Sequence, residues 1–416
     1  MNSDFKFVHA ADLHLDSPFR GVAAESRLGP VFRESTVRAF RRVVALCLRE
    51  KVDFLLLAGD LFDARDRSVR ARLVLHQGLS ELDHAGIQTF IVHGNHDPLT
   101  AGDDLRWPSS VKVFGPEWEE VPVMRGPHLI ARIQGISYPQ ERVTENLSQR
   151  FHRLGPQFTV GLLHANVGGV GTHANYAPCT LSDLAEAGLD YWALGHVHTR
   201  ADLDLSGGGV AVYPGNTQGR HINEAGERGC LLVQVRDFKA KRTFVPTDSV
   251  RWHRLELDID DLELETLDAL MDNLSAELMR CAGSGGDQEG HAVRVVLSGR
   301  GPLSAKLRDP GAIESLETHL CEWGTARNPP LLIESVVDQT SPELDLEAIR
   351  RAGGLAGAVI ELGRGLAPDD LWTAEELKRL DSNLRSAQLL PTRADHESLM
   401  PRAIDRALEL LLEGEA

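Results

Sequence analysis

Five short apolar runs each stop at a side chain that can bind a metal ion, and this repeated ending constrains the chain more than any other feature. The run "FKFVHA" (5–10) leads into Asp12 and His14, and "VDFLLLAGD" (52–60) ends on Asp60. "TFIVHGN" (89–95) ends on Asn95, with His96 and Asp97 next. "FTVGLLHAN" (158–166) carries His164, and "DYWALGHVH" (190–198) carries His196 and His198. Near-continuous apolar runs of this kind predict strands buried on both faces. Between the early runs, 34–50 places Val37, Phe40, Val44, Leu46 and Leu48 on a broad apolar face. The segment 69–85 does the same with Val69, Leu73, Leu75, Leu79 and Leu82. Strands alternating with such helices predict an α/β domain.

In an open α/β sheet, ligands bind beyond the carboxyl ends of the strands. Five strand ends meeting at one place bring together Asp12, His14, Asp60, Asn95, His164, His196 and His198. Side chains two apart on an extended chain share a side, which pairs Asp12 with His14 and His196 with His198. Oxygen and nitrogen donors without a thiolate suit two divalent ions of the Mn, Fe or Zn kind. Asp60, with two carboxylate oxygens, suits the bridging position. Two ions about 3.5–4 Å apart would clamp the attacking and leaving oxygens of a phosphoryl displacement and supply hydroxide at neutral pH. His96 is expected to point towards the scissile phosphate, to stabilise the pentacoordinate charge or protonate the leaving oxygen. Asp97 is expected to hydrogen-bond that imidazole and fix its tautomer. Gly59, Gly94 and Gly195, each just before a ligand, permit tight backbone there. Taken singly the pieces have ordinary readings: "GD" and "GN" as turns, His164 as a core histidine. Their recurrence at one strand end after another favours a site. His9 and His93 precede the ligand motifs and are expected to pack beneath it, while His173 and His221 lie in polar loops within reach of a substrate.

The first domain is expected to cover 1–250, with further strands at 207–216 and 229–235. Residues 251–340 predict a small α/β module: a strand from "RWHRLELDI", a helix over 263–281, a loop "GSGGDQEG", a strand from "HAVRVVLSG", a helix near 311–323 and a strand from "PPLLIESVV". Residues 341–416 read as mostly helical. They end in a helix at 401–413 that starts on Pro401 and carries an apolar stripe of Ile404, Leu408 and Leu411. No apolar run approaches the roughly 18 residues needed to cross a bilayer, and the N-terminus lacks the pattern of a secretory signal. Five scattered cysteines make neither a disulfide framework nor a CxxC site. A cytoplasmic protein without membrane association is therefore expected. The formal net charge of −17 argues against a chain that grips DNA by phosphate neutralisation alone. It leaves room for a nuclease that borrows affinity from metals or from a basic partner.

The series "DLH", "GD", "GNHD", "H" and "GHVH", spanning 12–198, resembles the signature of the calcineurin-like metallophosphoesterases. The stretches "FVHAADLHLDSPFRG", "LDYWALGHVH" and "VYPGNTQGRHINEAGERGCLLV" are similar to the DNA repair exonuclease branch of that family, the SbcD-like and above all YhaO-type proteins. The resemblance implies a metallophosphoesterase β-sandwich flanked by helices, a small α/β capping domain and a C-terminal helical tail. It implies one metal ion on Asp12, His14, Asp60 and His198, the other on Asp60, Asn95, His164 and His196, and a catalytic His96. Manganese is the metal to expect. The implied activity is a 3′-to-5′ DNA exonuclease with some endonuclease action, acting in DNA repair. The implied partners are an SbcC-like ATPase, on whose coiled coil the C-terminal helices dock, and a second copy of the chain. A phosphatase or cyclic-nucleotide phosphodiesterase would use the same metals. Asp63 in "GDLFD" departs from relatives that carry histidine there.

Overall fold

A computed structural model describes residues 4–15, 17, 29–63, 68–101, 106–169, 176–260, 264, 266–283, 286–344 and 346–365, together with 404, 407, 408 and 411. Two compact units emerge, one of residues 1–253, 281–293 and 323–334, the other of 254–280, 294–322 and 335–416.

The first unit begins β1 (Phe5–Ala10), α1 (Gly29–Glu50), β2 (Phe54–Ala58), α2 (Val69–His84), β3 (Gln88–Val92) and β4 (Val111–Val113). It continues with β5 (Glu119–Arg125), β6 (His128–Ile136), β7 (Thr159–His164), α3 (Leu181–Glu186), β8 (Tyr191–Gly195), β9 (Ala201–Asp204), β10 (Val210–Tyr213), β11 (Gly229–Arg236) and β12 (Lys239–Pro246). These strands make two six-stranded mixed sheets, ordered β12-β11-β1-β2-β3-β4 and β5-β6-β7-β8-β10-β9. The alternation of side chains along each strand explains the continuous apolar runs. Phe5 and Phe7 of β1, with Phe54 and Leu56 of β2, face a core shared with Val160, Leu162, Tyr191 and Ala193 of the second sheet. Val8, Ala10, Leu55 and Leu57 face the other way, onto Phe40, Val43 and Cys47 of α1 and Leu75 and Leu79 of α2. The Phe7 and Phe54 rings stack with centroids 4.9 Å apart. Burying one such ring contributes about 1.5–3 kcal/mol. The result is the expected sandwich of two sheets flanked by helices, with β1, β2 and β3 running parallel.

Helix α1 starts five residues earlier than its apolar period suggested, with Pro30 in its first turn, where the missing N–H costs nothing. Helix α2 departs from expectation on its face. Ala71, Leu75, Gly78, Leu79 and Leu82 are buried, while Val69 and Leu73 are exposed. At 3.6 residues per turn the last two fall outside the stripe that the sheet covers. Ser68 caps the helix by accepting from Ala71 N at 2.9 Å.

A three-stranded sheet, β13-β14-β15 in that order, is formed by β13 (Val250–Asp258), β14 (Gly290–Ser298) and β15 (Leu331–Asp338). Among the described residues, α4 (Leu267–Gly283), α5 (Leu303–Leu307), α6 (Ala312–Thr325), α7 (Leu346–Ala352) and α8 (Gly354–Gly365) alternate with or follow these strands. Helix α4 buries Leu270, Leu274 and Leu278, four apart along one face. Most of the expected helix at 401–413 lies outside the described residues. Of its stripe, Ile404, Leu408 and Leu411 are described and helical, and Leu408 is fully buried. Among the described residues no helix is long and apolar enough to cross a membrane.

One prediction arises from a pair of histidines away from the metal centre, His291 buried and His253 partly buried. His253 Nε2 and His291 Nδ1 lie 3.0 Å apart. Burial, the facing imidazole and the Arg251 charge push His253 down to about 4. Burial and the same arginine push His291 down to about 4. The unfolded chain takes up these protons near the ordinary histidine value and the folded chain refuses them until lower pH. Folded stability therefore falls as pH drops from about 6.5 towards 4, at up to about 1.4 kcal/mol per pH unit for each histidine kept neutral. Urea unfolding across that range should show a shallower pH slope for His253→Gln than for the wild type.

Candidate metal centre

The carboxyl ends of β1, β2, β3, β7 and β8 lie side by side, and the seven expected ligand residues converge beyond them. The backbone there is not extended. Asp12, His14, Asp60 and His196 have φ of 53°, 43°, 51° and 98°, in the left-handed region that non-glycine residues rarely adopt. This corrects the extended-chain argument for the pairs. Asp12 and His14 sit in a tight turn past β1, with Leu13 buried between them, and left-handed residues rather than strand alternation bring both side chains to one cluster. Backbone strain of about 1–3 kcal/mol per residue persists where the surroundings over-determine it, as they do here.

Asp12, His14, Asp60, Asn95, His164 and His196 are all buried. Their donor atoms meet in two groups. In one, His14 Nε2 lies 3.3 Å from His198 Nε2, with an Asp12 oxygen close to both. In the other, Asn95 Oδ1 lies 3.1 Å from His164 Nε2 and 3.2 Å from His196 Nδ1. Asp60 touches both groups: its Oδ2 is 3.4 Å from His164 Nε2 and 3.9 Å from His14 Nε2. Its Oδ1 is held by the His96 backbone N at 2.9 Å. Asp12 is fixed in the same manner, both oxygens accepting from the backbone N of His196 at 3.1 and 3.2 Å.

The far side of the histidines decides which nitrogen faces the centre. His14 Nδ1 meets Asp63 Oδ1 at 3.1 Å, His198 Nδ1 meets Glu224 Oε1 at 2.6 Å, and His164 Nδ1 meets the Ala58 carbonyl at 2.9 Å. An acceptor at Nδ1 places the proton there and leaves the Nε2 lone pair facing inward, the arrangement of metal-bound imidazoles. Among the described residues, the buried carboxylates of Asp12 and Asp60 meet imidazoles and backbone N–H groups and no lysine or arginine. Such burial is costly without a compensating charge. Burial pulls His164 down, but the Asp60 charge and hydrogen bond and the Asp12 charge outweigh it and push His164 up to about 9. A divalent cation at the same point would displace that proton. The donor set therefore fits two divalent cations, with Asp60 shared between them.

His96 stands apart, its side chain about half exposed, with Nδ1 2.9 Å from Asp63 Oδ1. The hydrogen bond expected from Asp97 is absent. Asp97 is fully buried and turns inward, accepting from Gly94 N at 2.8 Å and Leu61 N at 2.9 Å and lying 3.2 Å from His93 Nδ1. Neighbours in a tight turn point in different directions, and Asp97 fastens the turn while Asp63, from another loop, orients the imidazole. Burial lowers the His96 pKa, but the Asp63 hydrogen bond and the charges of Asp60 and Asp63 outweigh it and hold His96 above its ordinary value. Against burial, hydrogen bonds from His14 and His96 hold Asp63 far below the usual carboxylate range.

His9 packs beneath the centre, Nδ1 3.1 Å from the Tyr191 hydroxyl and Nε2 3.2 Å from the Leu194 carbonyl. His221 Nε2 lies 3.3 Å from Glu224 Oε1, and His173 lies outside the described residues. The sequence reading missed Glu224 and Arg220 and gave Asp63 no role. Each is a single charged residue in a loop, with no periodicity to mark it. The one available signal was "RHINE", which sets two basic side chains and an acid beside a suspected site.

The glycines are needed for close approach. A Cβ on Gly94 would collide with Asp60 Oδ1 and His164 Nε2, and one on Gly59, at φ 90°, would collide with the His164 ring. Gly94→Ala should cost about 1–3 kcal/mol of stability through overpacking and weaken Mn2+ binding. Thermal melts with and without Mn2+ check both.

Comparison with known proteins agrees with this geometry. Residues 5–200 match the calcineurin-like phosphoesterase family, and residues 252–341 match the middle domain of the metallophosphoesterase YhaO. The uncharacterized metallophosphoesterase YhaO of Bacillus subtilis is 38% identical over 309 residues, covering 73% of this chain and 74% of that one. The DNA double-strand break repair protein Mre11 of Sulfurisphaera tokodaii is 27% identical over 51% of this chain and 54% of its own. The Mre11 of Methanopyrus kandleri is 24% identical over 88% of this chain and 80% of its own.

Proposed function

This chain belongs to the calcineurin-like phosphoesterase family and is a metal-dependent hydrolase, and we propose that it cleaves phosphodiester bonds of DNA as a 3′-to-5′ exonuclease. The observation that carries the two-cation part is the single Asp60 Oδ2 within reach of both His14 and His164. Asp12, His14, Asp60 and His198 would hold one cation, and Asp60, Asn95, His164 and His196 the other. Bound there, manganese or a similar ion would polarise the phosphoryl oxygens and lower the pKa of a water. The rest falls to side chains. Asp63 accepts from His96 Nδ1 and leaves Nε2 to carry a proton. The Asp63 hydrogen bond, which pushes the His96 pKa upward, favours keeping that proton, the one available to the departing 3′-oxygen.

DNA as substrate is supported by the likeness to DNA double-strand break repair proteins along most of the chain. The formal charge of −17 supports a partner that contributes the DNA grip, and we take an SbcC-like ATPase with a coiled coil to be that partner. The expected docking helix lies largely outside the described residues.

The test is turnover in Mn2+ on duplex DNA, a cyclic nucleotide and a phosphoprotein. The reading expects shortening of DNA to exceed hydrolysis of the other two. Hydrolysis of the cyclic nucleotide or phosphoprotein, with DNA left intact even when the ATPase is added, would overturn it.

A further inference from the structure

The two carboxylates behind the histidine ligands are themselves joined. Asp63 Oδ1 accepts from His14, and Glu224 Oε1 accepts from His198. The Arg220 guanidinium lies between these carboxylates. Its Nη1 is 3.4 Å from Asp63 Oδ2 and 3.0 Å from Ser17 Oγ, which also donates to Asp63 Oδ2, and its Nη2 is 3.6 Å from Glu224 Oε1. The backbone N of Arg220 donates to Glu224 Oε2 at 2.7 Å, and Asn216 Nδ2 donates to the same oxygen at 3.0 Å. The Arg220 side chain is only 13% exposed.

These contacts close a ring. It runs from Arg220 through Asp63 to His14, across the 3.3 Å between the two Nε2 atoms to His198, and back through Glu224 to Arg220. We propose that Arg220 is a positioning residue that holds the two carboxylates, and through them His14 and His198, in the geometry that binds one of the two cations. Resting on the two-cation reading above, the proposal adds an asymmetry to it. The other half of the centre is held differently: His164 Nδ1 meets the Ala58 carbonyl and His196 Nδ1 faces Asn95. Arg220 touches neither. Asp63, partly buried, and Glu224, buried, are like charges that face one guanidinium, and a planar guanidinium fork is the group suited to span two carboxylates. Without it nothing ties Asp63 to Glu224, and the imidazoles they hydrogen-bond lose their fixed orientation. Loss of such an outer partner weakens a metal site by about 10–100-fold.

The test is calorimetric titration of the metal-free full-length chain with Mn2+, with electron paramagnetic resonance to detect the coupled Mn(II) pair. Wild type should bind two ions. Arg220→Ala should bind one ion as wild type does and the other about 10–100-fold more weakly, with the coupled signal lost at limiting Mn2+. The unaffected ion shows that the variant is folded. If Arg220→Ala loses both ions through misfolding, Glu224→Gln, which opens the ring at its other side, should weaken a single ion. Overturning results are both ions weakened equally in a folded variant, or ion binding unchanged with the defect confined to KM for DNA. The second would make Arg220 a substrate contact. A wild type that binds fewer than two ions would overturn the two-cation reading and this inference with it.

Discussion

Replacing His96 by alanine should lower kcat on DNA by about 10²–10⁴-fold, the usual contribution of a positioned acid or base, while both Mn2+ ions still bind. His96 touches the centre through its backbone N, which donates to Asp60 Oδ1, and alanine keeps that N–H. The ring itself is about half exposed and paired with Asp63 at 2.9 Å, so its removal opens no cavity under the ligands. A second variant separates orientation from presence. Asp63→Asn keeps the imidazole and an oxygen that can accept from it, but removes the Asp63 charge, one of the groups that outweigh burial at His96. The His96 pKa then falls. An acid is active below its pKa, so the alkaline limb of the pH–kcat profile should move to lower pH in Asp63→Asn. Steady-state kinetics across pH, with Mn2+ content measured on the same samples, check both statements.

Asp60→Asn should abolish detectable turnover and remove the stabilisation that Mn2+ confers. The replacement is nearly isosteric, and the amide can still accept from His96 N. What disappears is the negative charge on the oxygen that lies 3.4 Å from His164 and 3.9 Å from His14. Several kcal/mol of transition-state stabilisation by the cations corresponds to about 10³-fold or more in rate. Stability offers an independent readout. A ligand at a thousand times its Kd stabilises the folded state by about 4 kcal/mol, so Mn2+ should raise the wild-type melting temperature clearly and the variant's little. Without metal the variant should melt somewhat lower than wild type at neutral pH, because it loses the carboxylate whose pairing pushes His164 up to about 9. A variant that Mn2+ still stabilises as much as wild type would show Asp60 to be structural.

Much of this centre is legible in the sequence because its ligands obey a local rule. Each of the five strands is apolar on both faces, and a polar side chain at its end marks where the sheet stops. Asp12, Asp60, Asn95, His164 and His196 stand out for that reason. The flanking glycines are legible too, since a side chain at Gly94 would occupy the place of Asp60 Oδ1. The supporting groups obey no such rule. Asp63 is far in sequence from Arg220 and Glu224, and their meeting depends on how the two segments fold over the strand ends. Adjacency in sequence misled the reading of Asp97, which turns into the protein to fasten Gly94 and Leu61. In α2 the apolar pattern was read too broadly, because Val69 and Leu73 are hydrophobic without facing the sheet.

The measurement that bears most directly on the central claim is digestion of a labelled duplex with a recessed and a blunt 3′ end, in Mn2+, with and without the proposed ATPase partner. Stepwise release of nucleotides from the 3′ end, lost on chelation and lost again in His96→Ala, is the predicted result. A duplex that stays intact under every condition, while bis-p-nitrophenyl phosphate is hydrolysed by the same sample, would contradict DNA as the substrate and leave a two-cation esterase of small molecules.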